Sequence, residues 1–283
     1  MNREEILREI GITPLWKARA GTLGTPAAMA EMASAVSHGA AEQQPAPMHV
    51  AATPRAVAPV AARTAEPAPV QASAGRVAPI SVDPERVSQI ARMDWPELKQ
   101  AVAGCAACGL AAGRKNTVFG VGDEKADWMI IGEAPGAEED ARGEPFVGQA
   151  GRLLDAMLAA LEMRREANIY IANVLKCRPP GNRNPEALEV AQCSPHLLRQ
   201  VALIQPRLII LMGRFAAQTL LGTDASIASM RGKLHQYQGT PAIVTYHPAY
   251  LLRNLPDKSK AWQDLLFARA TYRRLLSQAA APQ

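Results

Sequence analysis

The sequence predicts an α/β fold, a three-layer α/β/α sandwich on a mostly parallel, four-stranded central sheet. Three observations carry that expectation. Four apolar runs, Trp128–Ile131, Asn168–Val174, Arg207–Gly213 and Ala242–Tyr246, have the length and near-continuous hydrophobicity of strands buried on both faces. Segments with helical spacing separate them, and strands alternating with helices build parallel sheets covered by helices. Glycine- and proline-rich turns follow the runs, at the carboxyl ends of strands where such sheets place their ligands.

In chain order, residues 3–19 read as a short helix with Ile6, Leu7 and Ile10 along one side, followed by Leu15 and Trp16. Residues 1–20 are therefore expected to be a helical peptide that either docks on the main domain or binds a partner. Its Leu/Ile-Gly-Ile-Thr pattern ending in Trp resembles the N-terminal peptide of the psi subunit of the bacterial clamp loader, which implies a replication or repair partner. Residues 21–82 are rich in Ala, Pro, Ser, Gly and Gln and hold little that could be buried, so a disordered linker is expected. Order should resume at Asp83, which caps a helix with Pro84 at its first position, and again at Asp94-Trp95-Pro96-Glu97. The domain is thus expected to span residues 83–283.

Within it, Leu153, Leu154, Met157, Leu158 and Leu161 mark a helix after the first strand. Asn184 with Pro185 should start another, kinked by Pro195. A helix near Phe215–Leu221 follows the third strand, and a last one should run from about Ser259 to Leu276.

Lys and Arg number 31 against 26 Asp and Glu, a formal charge of +5 that leans mildly toward a polyanionic partner. No apolar run approaches the roughly 18 residues of a membrane span. The charged start Met1-Asn2-Arg3-Glu4-Glu5 does not read as a secretory signal. A cytoplasmic monomer is expected, whose cysteines are not disulfides.

Those four cysteines form a pattern. Cys105 and Cys108 are separated by two residues, Cys177 and Cys193 by fifteen. Four thiolates suit either a tetrahedral zinc or a four-iron, four-sulfur cluster, and spacing does not choose between them.

Gly132-Glu133-Ala134-Pro135-Gly136 with Pro145-Phe146-Val147-Gly148-Gln149-Ala150-Gly151 resembles the first motif of the family 4 uracil-DNA glycosylases. Asn173-Val174-Leu175-Lys176-Cys177-Arg178-Pro179-Pro180 and His247-Pro248-Ala249-Tyr250-Leu251-Leu252 match later motifs in the right order. The resemblance covers roughly residues 95–277. It implies a glycosylase of uracil-containing DNA, with a [4Fe-4S] cluster on the four cysteines and association with the bacterial nucleoid. Phe146 would stack on the flipped base, Asn173 would read its edge, and His247 would donate to O2 of the leaving uracil. Ala134 stands in the substrate site where better-known relatives carry a catalytic aspartate, so Glu133 becomes the candidate for handling water or the cationic sugar. Glu138, Glu139 and Asp140 come next. Leu251 would be the wedge that fills the vacated stack, with Leu252 as its alternate. Lys176, Arg178 and Arg253, with Arg183, Arg231 and Lys233, would meet phosphates.

Overall fold

The structure, a computed structural model, describes residues 82–280. The peptide 1–20 and nearly all of the linker 21–82 lie outside the described residues. All four expected strands form: β2 (Trp128–Gly132), β3 (Ile169–Asn173), β4 (Leu208–Met212) and β6 (Thr240–Thr245). They run parallel in the order β3-β2-β4-β6. Two short antiparallel strands that the sequence reading missed close the edges, β1 (Val121–Gly122) beside β3 and β5 (Leu234–Tyr237) beside β6. The sheet therefore has six strands with a parallel core of four.

β2, β3 and β4 are buried along their whole length, which is why they read as unbroken apolar runs rather than as alternation. Alternate side chains feed two cores. Met129, Ile131, Ile209 and Leu211 face α5 (Ala187–Ile204) and α6 (Arg214–Leu221). Trp128, Ile130, Ile171 and Ile210 face α4 (Gln149–Ala159) and α9 (Lys258–Ala280). Burying a Leu or Ile side chain contributes about 1.5–3 kcal/mol, so these two faces supply most of what holds the sandwich together.

The N-cap signals behave as read. Asp83 caps α1 (Pro84–Ile90), and Asp94 with Glu97 forms a reciprocal capping box on α2 (Trp95–Ala103). The start of α5 is a correction. Asn184 and Pro185 precede the helix, which begins at Ala187. The reason is local chemistry: Glu189 accepts the Glu186 amide and both terminal nitrogens of Arg183, so the cap is made by the glutamate. Pro195 lies within this single eighteen-residue helix.

Strand order departs in two directions from β2, toward β3 on one side and β4 on the other. The switch point between β2 and β4 is where an open α/β sheet offers a crevice.

Candidate functional site

The carboxyl tips of β2, β3 and β6 bring together the residues singled out from the sequence. Gly132 ends β2 and pairs in register with Asn173, which ends β3. A side chain at Gly132 would lie 2.5 Å from Asn173 Oδ1 and 2.6 Å from Phe146 Cζ, so both groups crowd the same point and only glycine fits between them. The rings of Phe146 and His247 are nearly parallel, 26° apart, with centroids separated by 5.3 Å. Three segments far apart in sequence thus present an aromatic face, an amide and an imidazole within one base-sized neighbourhood.

Each group has an unusual local setting. Phe146 has φ +54°, a left-handed conformation that costs a non-glycine residue about 1–3 kcal/mol and clusters at ligand sites. Behind it, any side chain at Gly151 would overlap the Phe146 carbonyl. Asn173 is 2% exposed, yet its Oδ1 has no hydrogen-bond partner among the described residues. A buried acceptor left unsatisfied costs about 1–3 kcal/mol, which a ligand donor would restore. His247 caps α8 (Pro248–Leu251) by accepting the Ala249 amide on Nδ1 at 3.1 Å. The proton of the neutral ring therefore sits on Nε2, free to be donated. Burial lowers the pKa of His247 to about 4, with nearby Arg253 adding to the fall and Glu139 opposing it. At neutral pH the ring is an uncharged donor.

The acidic residues of the first turn separate into distinct jobs. Glu139 accepts the amides of Gly136, Val147 and Gly148, which ties the two glycine turns together. Asp140 is buried and accepts the amides of Lys115 and Asn116. Glu138 is exposed beside Arg142. Glu133, half-buried at the strand tip, accepts no hydrogen bond on its carboxylate among the described residues; burial raises its pKa and the Arg214 charge opposes that rise.

The four cysteines surround a second place. Cys105, Cys108, Cys177 and Cys193 all line one cavity, together with Leu110, Leu175 and Arg114. Arg114 donates to Cys177 Sγ (3.4 Å), Arg86 to Cys105 Sγ (3.6 Å), and the Lys176 amide to Cys193 Sγ (3.2 Å). Among the described residues no three Cys, His, Asp or Glu side chains close on a point that would hold a single metal ion. Burial pushes the Cys193 thiol up to about 12, against the pull of Lys176. Ala134, partly buried, packs against this apolar surround.

Comparison with known proteins bears directly on this arrangement. A sequence profile of the Uracil DNA glycosylase superfamily matches residues 119–266. The Type-4 uracil-DNA glycosylase of Archaeoglobus fulgidus is 43% identical over 164 residues, covering 55% of this chain and 82% of that protein. The chain belongs to this family, the type 4 uracil-DNA glycosylases. The Type-4 enzyme of Pyrobaculum aerophilum is 42% identical over 183 residues (61% of this chain, 92% of the relative). That of Thermotoga maritima is 42% identical over 159 (56% and 82%).

Several DNA-facing assignments in this glycosylase need correction. Lys176 is 2% exposed, and its ammonium donates to the Asn173 carbonyl (2.9 Å) and to Gln200 Oε1 (2.6 Å). Buried and occupied, it does not reach a phosphate. Leu251 is 1% exposed and packs with Tyr246 and Ala261, while Leu252 beside it is 38% exposed. The helical turn of α8 points consecutive leucines to different sides, so Leu252 is the outward one of the pair. Arg231 is folded onto Asp264 (2.6 Å) over the Tyr246 ring, and Arg183 onto Glu189. Arg253 is exposed and Arg178, half-buried, bonds Asn182.

Three participants escaped the sequence reading. Arg214, exposed at the tip of β4, places a cation near Glu133. Arg86 and Arg114 donate to sulfur. An isolated arginine carries no spacing signal that marks it for such a role.

Proposed function

We propose that this chain is a monofunctional uracil-DNA glycosylase: it flips uracil out of DNA, hydrolyses the N-glycosidic bond, leaves an abasic site and starts base excision repair. The observation that carries the reading is the buried, unpartnered Asn173 Oδ1 beside the stacked rings of Phe146 and His247. The Asn173 amide offers one acceptor and two donors, which match N3–H and O4 of uracil, whereas cytosine presents the reverse pattern. Phe146 supplies the face on which the extruded base stacks.

As the bond breaks, negative charge builds on the base and positive charge on the sugar. The Nε2–H of neutral His247 meets the first at O2; a donor aimed at developing charge in a dry site contributes about 3–4 kcal/mol. Glu133 meets the second, either by orienting water or by offsetting the cationic sugar. Its partial burial strengthens both actions, and Arg214 favours its ionised form. Lys176, the lysine three residues from Asn173, is not available to attack the sugar, since its ammonium is held by the Asn173 carbonyl and Gln200. That supports hydrolysis without a Schiff base.

Cys105, Cys108, Cys177 and Cys193 would hold a [4Fe-4S] cluster. Four thiols around one cavity, each of three receiving a donor, fit a cluster whose sulfurs are hydrogen-bonded. Bound, the group supplies a cross-link between the turn after α2, the exit of β3 and α5. A brown preparation with broad visible absorption and bound iron and sulfide supports the assignment; a colourless one containing zinc overturns it.

The enzyme works on nucleoid DNA in the cytoplasm as a monomer, and residues 1–20 recruit it to a replication or repair protein. No helix among the described residues is long and apolar enough to cross a membrane. The deciding experiment is uracil release from a uracil-containing duplex, with cytosine, thymine, hypoxanthine and xanthine duplexes beside it. Release of uracil, abolished or severely reduced in Asn173→Ala, is expected. Parent-like excision by Asn173→Ala would remove the base-reading role.

A further inference from the structure

Phe146 is gripped by its main chain. Glu139 accepts the amides of Val147 and Gly148 just after it. The carbonyls on the other side of the same loop converge on one guanidinium. Arg165 lies on a tight bend bridged between Arg164 and Ala167, outside the turn it serves. Its Nη1 donates to the Pro145 carbonyl at 2.8 Å. Its Nη2 donates to the Phe146 carbonyl, with the Gly151 carbonyl at 3.5 Å. Its Nε pairs with Asp155 on α4, which sets the plane of the fork.

This placement is selective. Among the described residues, every acceptor of Arg165 belongs to the loop that carries Phe146 or to the helix that loop leads into. Phe146 is also the residue with φ +54°, a conformation held only where its surroundings over-determine it. A planar fork with five donors in fixed directions can satisfy several carbonyls at once, and a lysine cannot.

We infer that Arg165 is a positioning residue for base recognition. It fixes the left-handed backbone at Phe146 and so sets the angle at which the ring meets the flipped base. It acts through Phe146 and does not touch the base. The inference rests on the reading of Phe146 as the stacking face.

The test uses the full chain with Arg165→Met, Arg165→Lys and Asp155→Asn. Four quantities are measured: kcat and KM on a uracil duplex, inhibition by free uracil, affinity for a duplex bearing an abasic-site analogue, and the thermal midpoint. Arg165→Met should weaken uracil inhibition about three- to tenfold, the worth of one aromatic stacking contact. It should lower kcat/KM in proportion and leave abasic-duplex affinity unchanged. Arg165→Lys and Asp155→Asn should fall between it and the parent. Unchanged uracil inhibition in all three variants overturns the inference, as does a loss confined to abasic-duplex affinity or thermal midpoint. Should Arg165→Met fail to fold, the other two variants carry the same outcomes. A parent that neither releases uracil nor binds it overturns the functional reading, and this inference with it.

Discussion

The strand-tip site and the thiol cavity handle buried polar atoms in opposite ways. At the strand tips an acceptor on Asn173 is left without a donor, and Phe146 is held in a costly backbone conformation. At the cavity three sulfurs already receive donors from Arg86, Arg114 and the Lys176 amide. On the proposed function, a transient guest completes the first region and a permanent occupant fills the second. Lys176 joins them: its amide bonds Cys193 Sγ while its ammonium bonds the carbonyl of Asn173. The two regions are separate places that share one lysine.

If that contrast is right, the largest effect on chemistry belongs to the strand tips. Removing the His247 donor, as in His247→Ala, should lower kcat about 10²–10³-fold while DNA binding holds. Single-turnover uracil release checks this; a loss below tenfold would return the histidine to a capping role. Because burial holds His247 near 4 against an unfolded value of about 6.5, its stability contribution has a defined sign. The unfolded chain takes up the proton first as pH falls. The stability gained by keeping the ring neutral is therefore complete above about pH 6.5 and lost between there and about 4. The positive slope of unfolding free energy against pH in that window should be shallower in His247→Gln, as urea titrations at successive pH values would reveal.

The α8 leucines sharpen the comparison next. Leu251→Ala should behave as a core deletion and cost about 2–5 kcal/mol of stability. Leu252→Ala should leave stability within about 0.5 kcal/mol, as an exposed position does, and reduce uracil release from paired duplex more than from single strands. Thermal melts and a paired-versus-single-strand rate comparison separate the two. Identical behaviour would mean that exposure in the free protein does not identify the wedge.

How much of this was legible in the sequence depends on whether a property is carried along the chain or across it. The four parallel strands announced themselves because burial on both faces demands unbroken apolar runs. Asp83 and Asp94 announced their helices because a cap is local. The edge strands did not, since Val121–Gly122 is only two residues and Leu234–Tyr237 is exposed at two of its four positions. Phe146, Asn173 and His247 were named from motif resemblance, but only folding brings them together. Lys176 was misjudged for the same reason: a lysine in a basic, proline-rich turn reads as surface, and nothing local reveals that Gln200, on a distant helix, will accept its hydrogen bond. Leu251 and Leu252 are chemically equal in sequence, and one residue of helical rotation decides which is buried.

The smallest effect tests the corrected charge map. Each phosphate contact contributes about one unit to the dependence of log affinity on log salt. Arg253→Ala should therefore reduce the slope by about one while leaving the thermal midpoint alone, because Arg253 is exposed next to Leu252. Lys176→Met should do the reverse. It leaves the salt slope unchanged and lowers stability, because the Asn173 carbonyl and Gln200 Oε1 lose their shared donor inside the protein. Its second expected consequence is a weaker preference for uracil over cytosine, through a less firmly held Asn173. A reduced salt slope in Lys176→Met with stability intact would mean that this lysine turns outward to the backbone of DNA, and that the two regions are not joined through it.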